Sequence, residues 1–231
     1  MKESMVFHMD DIDILLVKES IFENNNERAK VLKDELKKRN LYFVNVMSSP
    51  GSGKTTTLVK VIKELQKELK VAVMEADIDS DVDCHTLKNE TGCKVIQLHT
   101  GGMCHLDADM SRQGLEKMGI DGIDICFLEN IGNLVCPAEF DTGAHLNLVI
   151  LSVPEGDDKP DKYPLMFKVA DLVVINKIDT LPIFDFNVEK CKKSILSKNP
   201  KAKIFEISAK SKQGIKELSE YLIELQKEVR K

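Results

Sequence analysis

The sequence predicts an α/β fold with a doubly wound, mostly parallel sheet, and three observations support this prediction. Short apolar runs alternate with stretches of helical period along most of the 231 residues. Several of these runs, such as residues 172–176, contain no polar alternation, which is typical of strands covered by helices on both faces. A glycine-rich turn joins one apolar run, residues 41–47, to a long helical pattern. A chain of this length can form one good-sized domain.

The predicted elements follow in chain order. Helix-forming composition from Ile12 to Arg39 predicts one or two helices, which form an N-terminal helical extension of residues 1–40. Residues 41–231 are predicted to form the α/β domain. Its strands are expected at residues 42–47, 71–76, 94–98, 123–128, 146–152, 172–176 and 203–207. Its helices are expected at residues 55–68, 111–117, 188–196 and 214–229.

Composition argues against several classes of function. The formal net charge is −5 and the basic residues are dispersed, so no nucleic-acid partner is expected. No apolar run approaches the roughly 18 residues of a membrane span, and the first 13 residues do not resemble a signal peptide. We therefore expect a cytoplasmic protein with no membrane partner. The six cysteines would stay reduced there, as free thiols or metal ligands.

Residues 48–57, Ser-Ser-Pro-Gly-Ser-Gly-Lys-Thr-Thr-Thr, have the pattern of a phosphate-binding P-loop, with Ser48 at the usual first glycine. Backbone N–H groups in such a turn, and at the start of the next helix, bind phosphate oxygens. Lys54 is expected to reach the β- and γ-phosphates, and the Thr55 hydroxyl to bind Mg²⁺. The predicted contacts of this segment are Pro50, Gly51, Ser52, Gly53, Lys54, Thr55 and Thr56.

A second motif, Asn176-Lys177-Ile178-Asp179, follows the buried run 172–175. The Asp179 carboxylate can accept two N–H bonds from guanine, whereas adenine presents the wrong pattern, and Asn176 can bond the ring edge. Farther on, Ser208-Ala209-Lys210 resembles the guanine-contacting S-A-K element of GTPases. These motifs predict that GTP and GDP are the bound nucleotides and that residues 41–231 form a P-loop GTPase domain.

Acidic residues between the two motifs are candidates for the Mg²⁺ site. Glu129 follows the predicted strand 123–128, and the amide of Gly132 can reach the γ-phosphate. Four aspartates, at positions 77, 79, 81 and 83, crowd a predicted switch loop; Asp77 and Asp83 are favoured, and a solvated acidic loop is the alternative. The predicted catalytic set is Lys54, Thr55, Asp83 and Glu129, of which the last three would hold Mg²⁺.

Cys104-His105 and Cys136 form a candidate site for Ni²⁺ or Zn²⁺, which thiolate and imidazole ligands suit. Both halves lie in polar segments predicted to be loops, and the second begins three residues beyond Glu129. A metal there would lie near the γ-phosphate, which would couple the two sites. The alternative is that the cysteines pack as small buried hydrophobes. Cys84, His85 and Cys93 could supply extra ligands, but a structural role is favoured for them.

Four segments together resemble the HypB family of hydrogenase nickel-incorporation GTPases. They are Ser-Ser-Pro-Gly-Ser-Gly-Lys-Thr-Thr (48–56), Cys-His-Leu-Asp-Ala (104–108), Glu-Asn-Ile-Gly-Asn-Leu-Val-Cys-Pro-Ala-Glu-Phe-Asp (129–141) and Asn-Lys-Ile-Asp (176–179). The likeness spans nearly the whole chain, and the 129–141 block is its most specific part.

This resemblance implies a signal-recognition-particle-like GTPase that dimerises when GTP-bound and hydrolyses GTP slowly. It implies nickel delivery to the large subunit of [NiFe]-hydrogenase together with an accessory metallochaperone. By the same likeness, Cys104, His105 and Cys136 correspond to a metal site near the dimer interface. The chain departs from some members in lacking any cysteine before Cys84 and any polyhistidine stretch. Two alternatives stay open: a urease-type nickel-delivery GTPase, and a Zn²⁺ or Ni²⁺ storage module with vestigial GTPase activity.

Overall fold

The computed structural model describes residues 6–9, 12–16, 25–78 and 80–229. In these ranges nine strands form one sheet. The strands are β1 Val6–Met9, β2 Ile12–Leu16, β3 Tyr42–Ser48, β4 Val71–Asp77, β5 Lys94–His99, β6 Ile125–Glu129, β7 Leu146–Ser152, β8 Leu172–Asn176 and β9 Lys203–Glu206.

The strand order is β1-β2-β5-β4-β6-β3-β7-β8-β9. Every neighbouring pair is parallel except β1 and β2, which are antiparallel. The predicted doubly wound, mostly parallel sheet is therefore confirmed. Strand β3 lies between β6 and β7, so the loops that leave these strands meet at one edge of the sheet, where ligands bind in such folds.

Helices cover both faces of the sheet. They are α1 Asn25–Lys38, α2 Lys54–Leu65, α3 Val82–Thr91, α4 Ala108–Met118, α5 Lys159–Lys162, α6 Pro164–Val169, α7 Val188–Lys198 and α8 Ile215–Val229. One face buries an apolar cluster under α2, α3 and α8, and the other buries two clusters, one under α1 and α4 and one under α6 and α7. Within the described ranges, no helix has the length and apolarity needed to cross a membrane.

The N-terminal prediction is wrong for residues 12–16, which form strand β2 instead of a helix. This strand runs parallel to β5, with Leu15 opposite Leu98. The alternation Ile12-Asp13-Ile14 has the period of a strand, and the helical composition farther along concealed it. The helix itself begins at Asn25, and its buried residues contact β3 and α4. The division of the chain at residue 40 stays a prediction.

Three helices were not predicted. Residues 82–91, whose beginning was assigned to a switch loop, form α3, and residues 159–169 form α5 and α6. The aspartates that suggested a loop include Asp81, which is the N-cap residue of α3, and Asp83, which lies in its first turn. Acidic residues are favoured at helix N-termini because they face the positive end of the helix dipole. The same residues are therefore consistent with a helix start.

Candidate functional site

The segment between β3 and α2 forms the predicted phosphate cradle. Two of its glycines have left-handed backbone conformations, with φ of 75° at Gly51 and 93° at Gly53. A Cβ atom on Gly53 would lie 2.7 Å from Nδ2 of Asn176. A side chain at position 53 would therefore face both an unfavourable φ and a steric clash. Helix α2 begins directly after this turn at Lys54, so its first N–H groups face the cradle.

A pocket of about 580 Å³ opens at the cradle. Ten of its twelve lining residues were predicted from the sequence, and Ile78 and Ile131 were not. The ten predicted residues are Pro50, Gly51, Gly53, Lys54, Thr55, Thr56, Asp77, Asp83, Gly132 and Lys177. Gly132 packs against Pro50, where an added Cβ would lie 3.1 Å from the Pro50 Cγ. The absence of a side chain at position 132 thus lets the loop after β6 approach the cradle.

Asn176 joins the cradle to both guanine motifs instead of facing a base. Its side chain is 1% exposed. Its Nδ2 donates to the Ser52 carbonyl oxygen over 2.9 Å and to the Thr57 hydroxyl over 3.3 Å, and its Oδ1 accepts from Ala209 N over 3.2 Å. These bonds align three loops, and the expected bond to the ring edge stays a prediction.

The other residues of the two guanine motifs surround this buried amide. Lys177 Nζ donates to the Gly51 carbonyl oxygen over 2.7 Å, which ties the second motif to the P-loop. The exposed Asp179 accepts a hydrogen bond of 2.6 Å from the Ser208 hydroxyl. Lys210 is exposed. The Asp179 carboxylate is thus both oriented by Ser208 and open to solvent, as recognition of a base requires.

Glu129 and Thr55 meet at the floor of the pocket. The Thr55 hydroxyl donates to Glu129 Oε1 over 2.7 Å, and Glu129 Oε2 is buried with no hydrogen-bond partner among the described residues. Burial raises the pKa of Glu129 to about 7, while Lys54 and Thr55 act to lower it. The Thr55 hydroxyl and the Glu129 carboxylate, whose buried Oε2 needs a partner, form a donor set of the kind that Mg²⁺ prefers.

Glu75 is a buried acid that the sequence reading missed. It lies opposite Glu129 on the neighbouring strand and is 3% exposed. Burial raises its pKa to about 9, and the nearby Glu129, Asp77 and Asp83 raise it further. The available signal was a charged residue inside the otherwise apolar run 71–76, because a buried charge needs a compensating partner or proton. This environment favours the protonated form of Glu75.

The four aspartates of the predicted switch loop have different environments. Asp77 and Asp83, the two favoured from the sequence, line the pocket. The side chain of Asp77 accepts from Ser80 N over 2.8 Å, and Asp81 contacts the His85 ring at 3.4 Å. Asp79 lies outside the described residues. Among the described aspartates of this segment, Asp77 and Asp83 are therefore the two that line the pocket.

The structure brings together two of the three predicted ligands for nickel or zinc. The Cys104 and Cys136 thiols are hydrogen-bonded to each other, which raises the pKa of Cys104, and both residues are partly exposed. His105 is instead 7% exposed, and its ring stacks on Phe140 with centroids 3.7 Å apart.

The structure thus groups the two thiols without His105, and the three-ligand site stays a prediction. In the part of the chain that the structure describes, no group of three or more His, Cys, Asp or Glu side chains could hold a metal ion. The His105 ring packs instead on Phe140, with the ring centroids 3.7 Å apart. Cys84 and Cys93 are buried, as expected for structural cysteines.

Comparison with known protein families gives one match over most of the chain. Residues 42–206 match the model of the CobW/HypB/UreG nucleotide-binding domain. The hydrogenase maturation factor HypB of Rhizobium leguminosarum bv. viciae is 41% identical over 202 residues, which cover 87% of this chain and 67% of that protein. The hydrogenase/urease maturation factor HypB of Helicobacter pylori J99 is 39% identical over 220 residues, covering 94% and 89%.

Solved structures agree with these sequence matches. The crystal structure of HypB from Helicobacter pylori in complex with nickel superposes with a TM-score of 0.82 at 39% identity, covering 88% of this chain and 95% of that one. HypB from Archaeoglobus fulgidus gives a TM-score of 0.80 at 36% identity, covering 87% and 98%. The signal recognition particle receptor FtsY of Elizabethkingia anophelis, at 15% identity and a TM-score of 0.53, shares the fold alone.

Proposed function

Because this chain belongs to the CobW/HypB/UreG family of P-loop GTPases, we propose that it couples GTP-dependent dimerisation to nickel delivery during [NiFe]-hydrogenase maturation. This proposal rests on one continuous segment of the chain, which joins the nucleotide pocket to the thiol pair. Glu129, at the floor of the nucleotide pocket, Gly132, at its wall, and Cys136, in the thiol pair, lie within eight residues of each other. A change at the γ-phosphate therefore has a short covalent route to the metal ligands.

GTP hydrolysis follows from the residues around the pocket. Lys54 and the cradle amides would bind the β- and γ-phosphates and stabilise the charge that develops during attack by water. Asp179, held by Ser208, would accept the guanine N–H groups. Lys210 lies two residues after Ser208. Thr55, Glu129 and Asp83 would hold Mg²⁺, which neutralises phosphate charge when it is bound.

A homodimer would complete the metal site. One chain offers two thiols, whereas Ni²⁺ and Zn²⁺ in proteins usually take four ligands. A second copy placed against the first would double the number of thiolates. Three exposed apolar side chains are sequence neighbours of residues in the nucleotide pocket or the thiol pair. Ile78 is 49%, Val82 64% and Val135 51% exposed. Such residues on loops around a nucleotide pocket favour a contact that depends on the bound nucleotide.

The partners proposed are an accessory metallochaperone and the hydrogenase large-subunit precursor, in the cytoplasm. The name of the Helicobacter pylori relative, hydrogenase/urease maturation factor, also favours a second client, a urease complex. Affinity capture with the tagged, GTP-bound chain distinguishes the two clients. Recovery of a hydrogenase precursor supports the main proposal, whereas exclusive recovery of urease subunits supports the alternative.

The experiment that tests coupling measures nickel and zinc affinity by competition with a chromophoric chelator. The chain is loaded with GDP or with a non-hydrolysable GTP analogue, and the Cys104→Ala/Cys136→Ala variant is the control. We expect affinity or stoichiometry to change with the nucleotide and to collapse in the control. Equal binding by control and parent would exclude the thiol pair. Thiol-dependent binding that ignores the nucleotide would instead indicate a storage module.

A further inference from the structure

The first two turns of α1 contact both loops that carry the thiol pair. We call these loops the thiol-bearing loops, residues 104–108 and 136–143. The first leads from Cys104 to the start of α4, and the second leads away from Cys136. They are far apart in sequence, and each is short. Whatever fixes their far ends relative to each other therefore also restricts the separation of the two thiols.

Asn25, in the first turn of α1, bonds the far ends of both thiol-bearing loops. Its Nδ2 donates to the Asp141 carbonyl oxygen over 2.9 Å, and its Oδ1 accepts from Ala108 N over 3.0 Å. Both partners are backbone groups, so these bonds restrain the path of each loop directly. An asparagine is suited to this position because its amide carries a donor and an acceptor on one planar group.

Contacts farther along α1 hold the helix against the same two loops. Arg28 forms an ion pair with Asp109, which directly follows the first loop. On the second loop, an added Cβ at Gly143 would lie 2.8 Å from Leu32 Cδ2 and 3.1 Å from the Ala29 carbonyl oxygen. The glycine thus allows a close approach of loop and helix. Asn25 is therefore carried on a rigid element that is packed against both loops.

We propose that Asn25 is a positioning residue that sets the separation of the Cys104 and Cys136 thiols. The role of this pair in metal delivery rests on the proposed function, but its geometry does not. A metal site tolerates displacements of only about 0.5 Å, and partners outside the ligand set typically change metal affinity by 10- to 100-fold. The N-terminal helix is accordingly part of the metal site.

The first test uses the metal-free protein and does not depend on nickel. Cys104 and Cys136 react with oxidised glutathione to give one protein disulfide and two molecules of reduced glutathione, and the equilibrium constant reports how well the thiols are held together. The other four cysteines are buried, so exchange reports this pair. We expect the constant to fall about 5- to 10-fold in Asn25→Ala. Acid quenching and mass spectrometry measure it.

A matched control is provided by Asn187, whose side chain accepts from Lys190 N at the start of α7. Asn187→Ala removes a similar helix-start bond on a helix that packs against α5 and α6, and it should leave the glutathione equilibrium unchanged. Asn25→Asp keeps an acceptor for Ala108 N but loses the donor to Asp141. It should therefore give an intermediate constant, a result that general loss of stability would not produce.

The second test measures nickel affinity and the thiolate-to-nickel absorption band of the same variants. Asn25→Ala should bind nickel about 10-fold more weakly with a shifted band, while GTP hydrolysis stays within about twofold of the parent. If Asn25→Ala matches the parent in the glutathione equilibrium, the positioning role is wrong. If that equilibrium changes but the parent binds no nickel through its thiols, the positioning role stands and the proposed function fails.

Discussion

Two amide side chains each bridge two loops in this molecule, and the regions they organise differ. Asn176 is 1% exposed and bonds three groups of the nucleotide region, whereas the partly buried Asn25 bonds two backbone groups of the thiol-bearing loops. The nucleotide cradle is therefore tied to the guanine motifs by bonds within one chain. The thiol pair is held in place but offers only two ligands, which leaves coordination positions for another molecule.

The largest effect should come from the nucleotide region. Lys54→Ala removes the only cationic side chain that α2 presents to the pocket. We expect GTP hydrolysis to fall by at least about 10³-fold, because the charge that develops on the phosphates loses its nearest compensation. Single-turnover hydrolysis at saturating enzyme measures this loss.

The same variant tests how separate the two regions are. The glutathione equilibrium of Cys104 and Cys136 should stay unchanged in Lys54→Ala, because the contacts described for the far ends of the thiol-bearing loops are made with α1 and not with this side chain. A large change in that equilibrium would mean that the thiol pair depends on the cradle, which would remove the distinction between a preformed region and an incomplete one.

The second prediction compares the two amides directly. Asn176→Ala leaves the buried Ser52 carbonyl oxygen and Ala209 N–H without their partner, which should lower the free energy of unfolding by about 3 kcal/mol. Asn25→Ala leaves groups nearer to solvent and should cost about 1 kcal/mol or less. Urea unfolding at pH 7.5 measures both. Equal losses of unfolding free energy in the two variants would show that Asn176 and Asn25 contribute equally to stability.

The sequence predicted ten of the twelve residues that line the pocket at the cradle, because the P-loop pattern depends on contiguous residues. Glycines at 51 and 53 and the pair Lys54-Thr55 are adjacent in the chain, and a strand followed by a helix fixes their geometry. The sequence predicted Asn176 as a site residue, but it did not predict that the side chain bridges two loops. Its partners Ser52 and Ala209 lie far away in sequence, so only the folded chain reveals that the amide is buried between them.

The metal region was predicted less well, because side-chain direction decides which residues can coordinate one ion. Cys104 and His105 are neighbours, but the histidine ring packs on Phe140 and the thiol faces Cys136. No local pattern distinguishes these two orientations. Likewise, the strand at residues 12–16 gains its stability from pairing with β5, which helical composition farther along does not indicate.

The third prediction concerns the incomplete region. Cys136→Ser replaces a soft thiolate with a hydroxyl that stays protonated, and nickel affinity should fall about 100-fold. Because serine has nearly the same volume, the loop should keep its fold and GTP hydrolysis should remain within about twofold. Competition with a chromophoric chelator measures the affinity. Nickel binding equal to that of the parent would mean that the metal is held elsewhere.

His105 provides the comparison for this variant. His105→Gln removes the imidazole but keeps the two thiols, and we expect a loss of nickel affinity of about 10-fold or less, since the ring is stacked on Phe140. A loss as large as that of Cys136→Ser would instead show that the ring leaves Phe140 and binds the metal, which would restore the three-ligand site predicted from the sequence.

The smallest effect concerns how α1 is attached to the sheet. His145 Nδ1 accepts from Phe43 N over 3.0 Å, so Nε2 carries the proton and donates to the Lys33 carbonyl oxygen over 3.2 Å. Burial, assisted by Lys33 and Lys37, lowers the pKa of His145 to about 4, while Asp34 opposes this shift. A protonated ring could no longer accept from Phe43 N, although its Nε2–H could still donate to Lys33. The bridge from α1 through the ring to β3 is therefore complete only while the histidine is neutral.

The direction of the pH effect follows from the pKa of His145, which is lower in the folded chain than its ordinary value. The unfolded chain binds the extra proton first, so stability is lost as pH falls from about 6.5 to about 4, by roughly 2 kcal/mol at pH 5. His145→Gln should abolish this part of the loss in urea unfolding. Hydrogen exchange shows which helix is affected, because the amides of α1 should lose protection at pH 5 before those of α2. Equal loss in both helices would show that the metal region is attached as firmly as the nucleotide region.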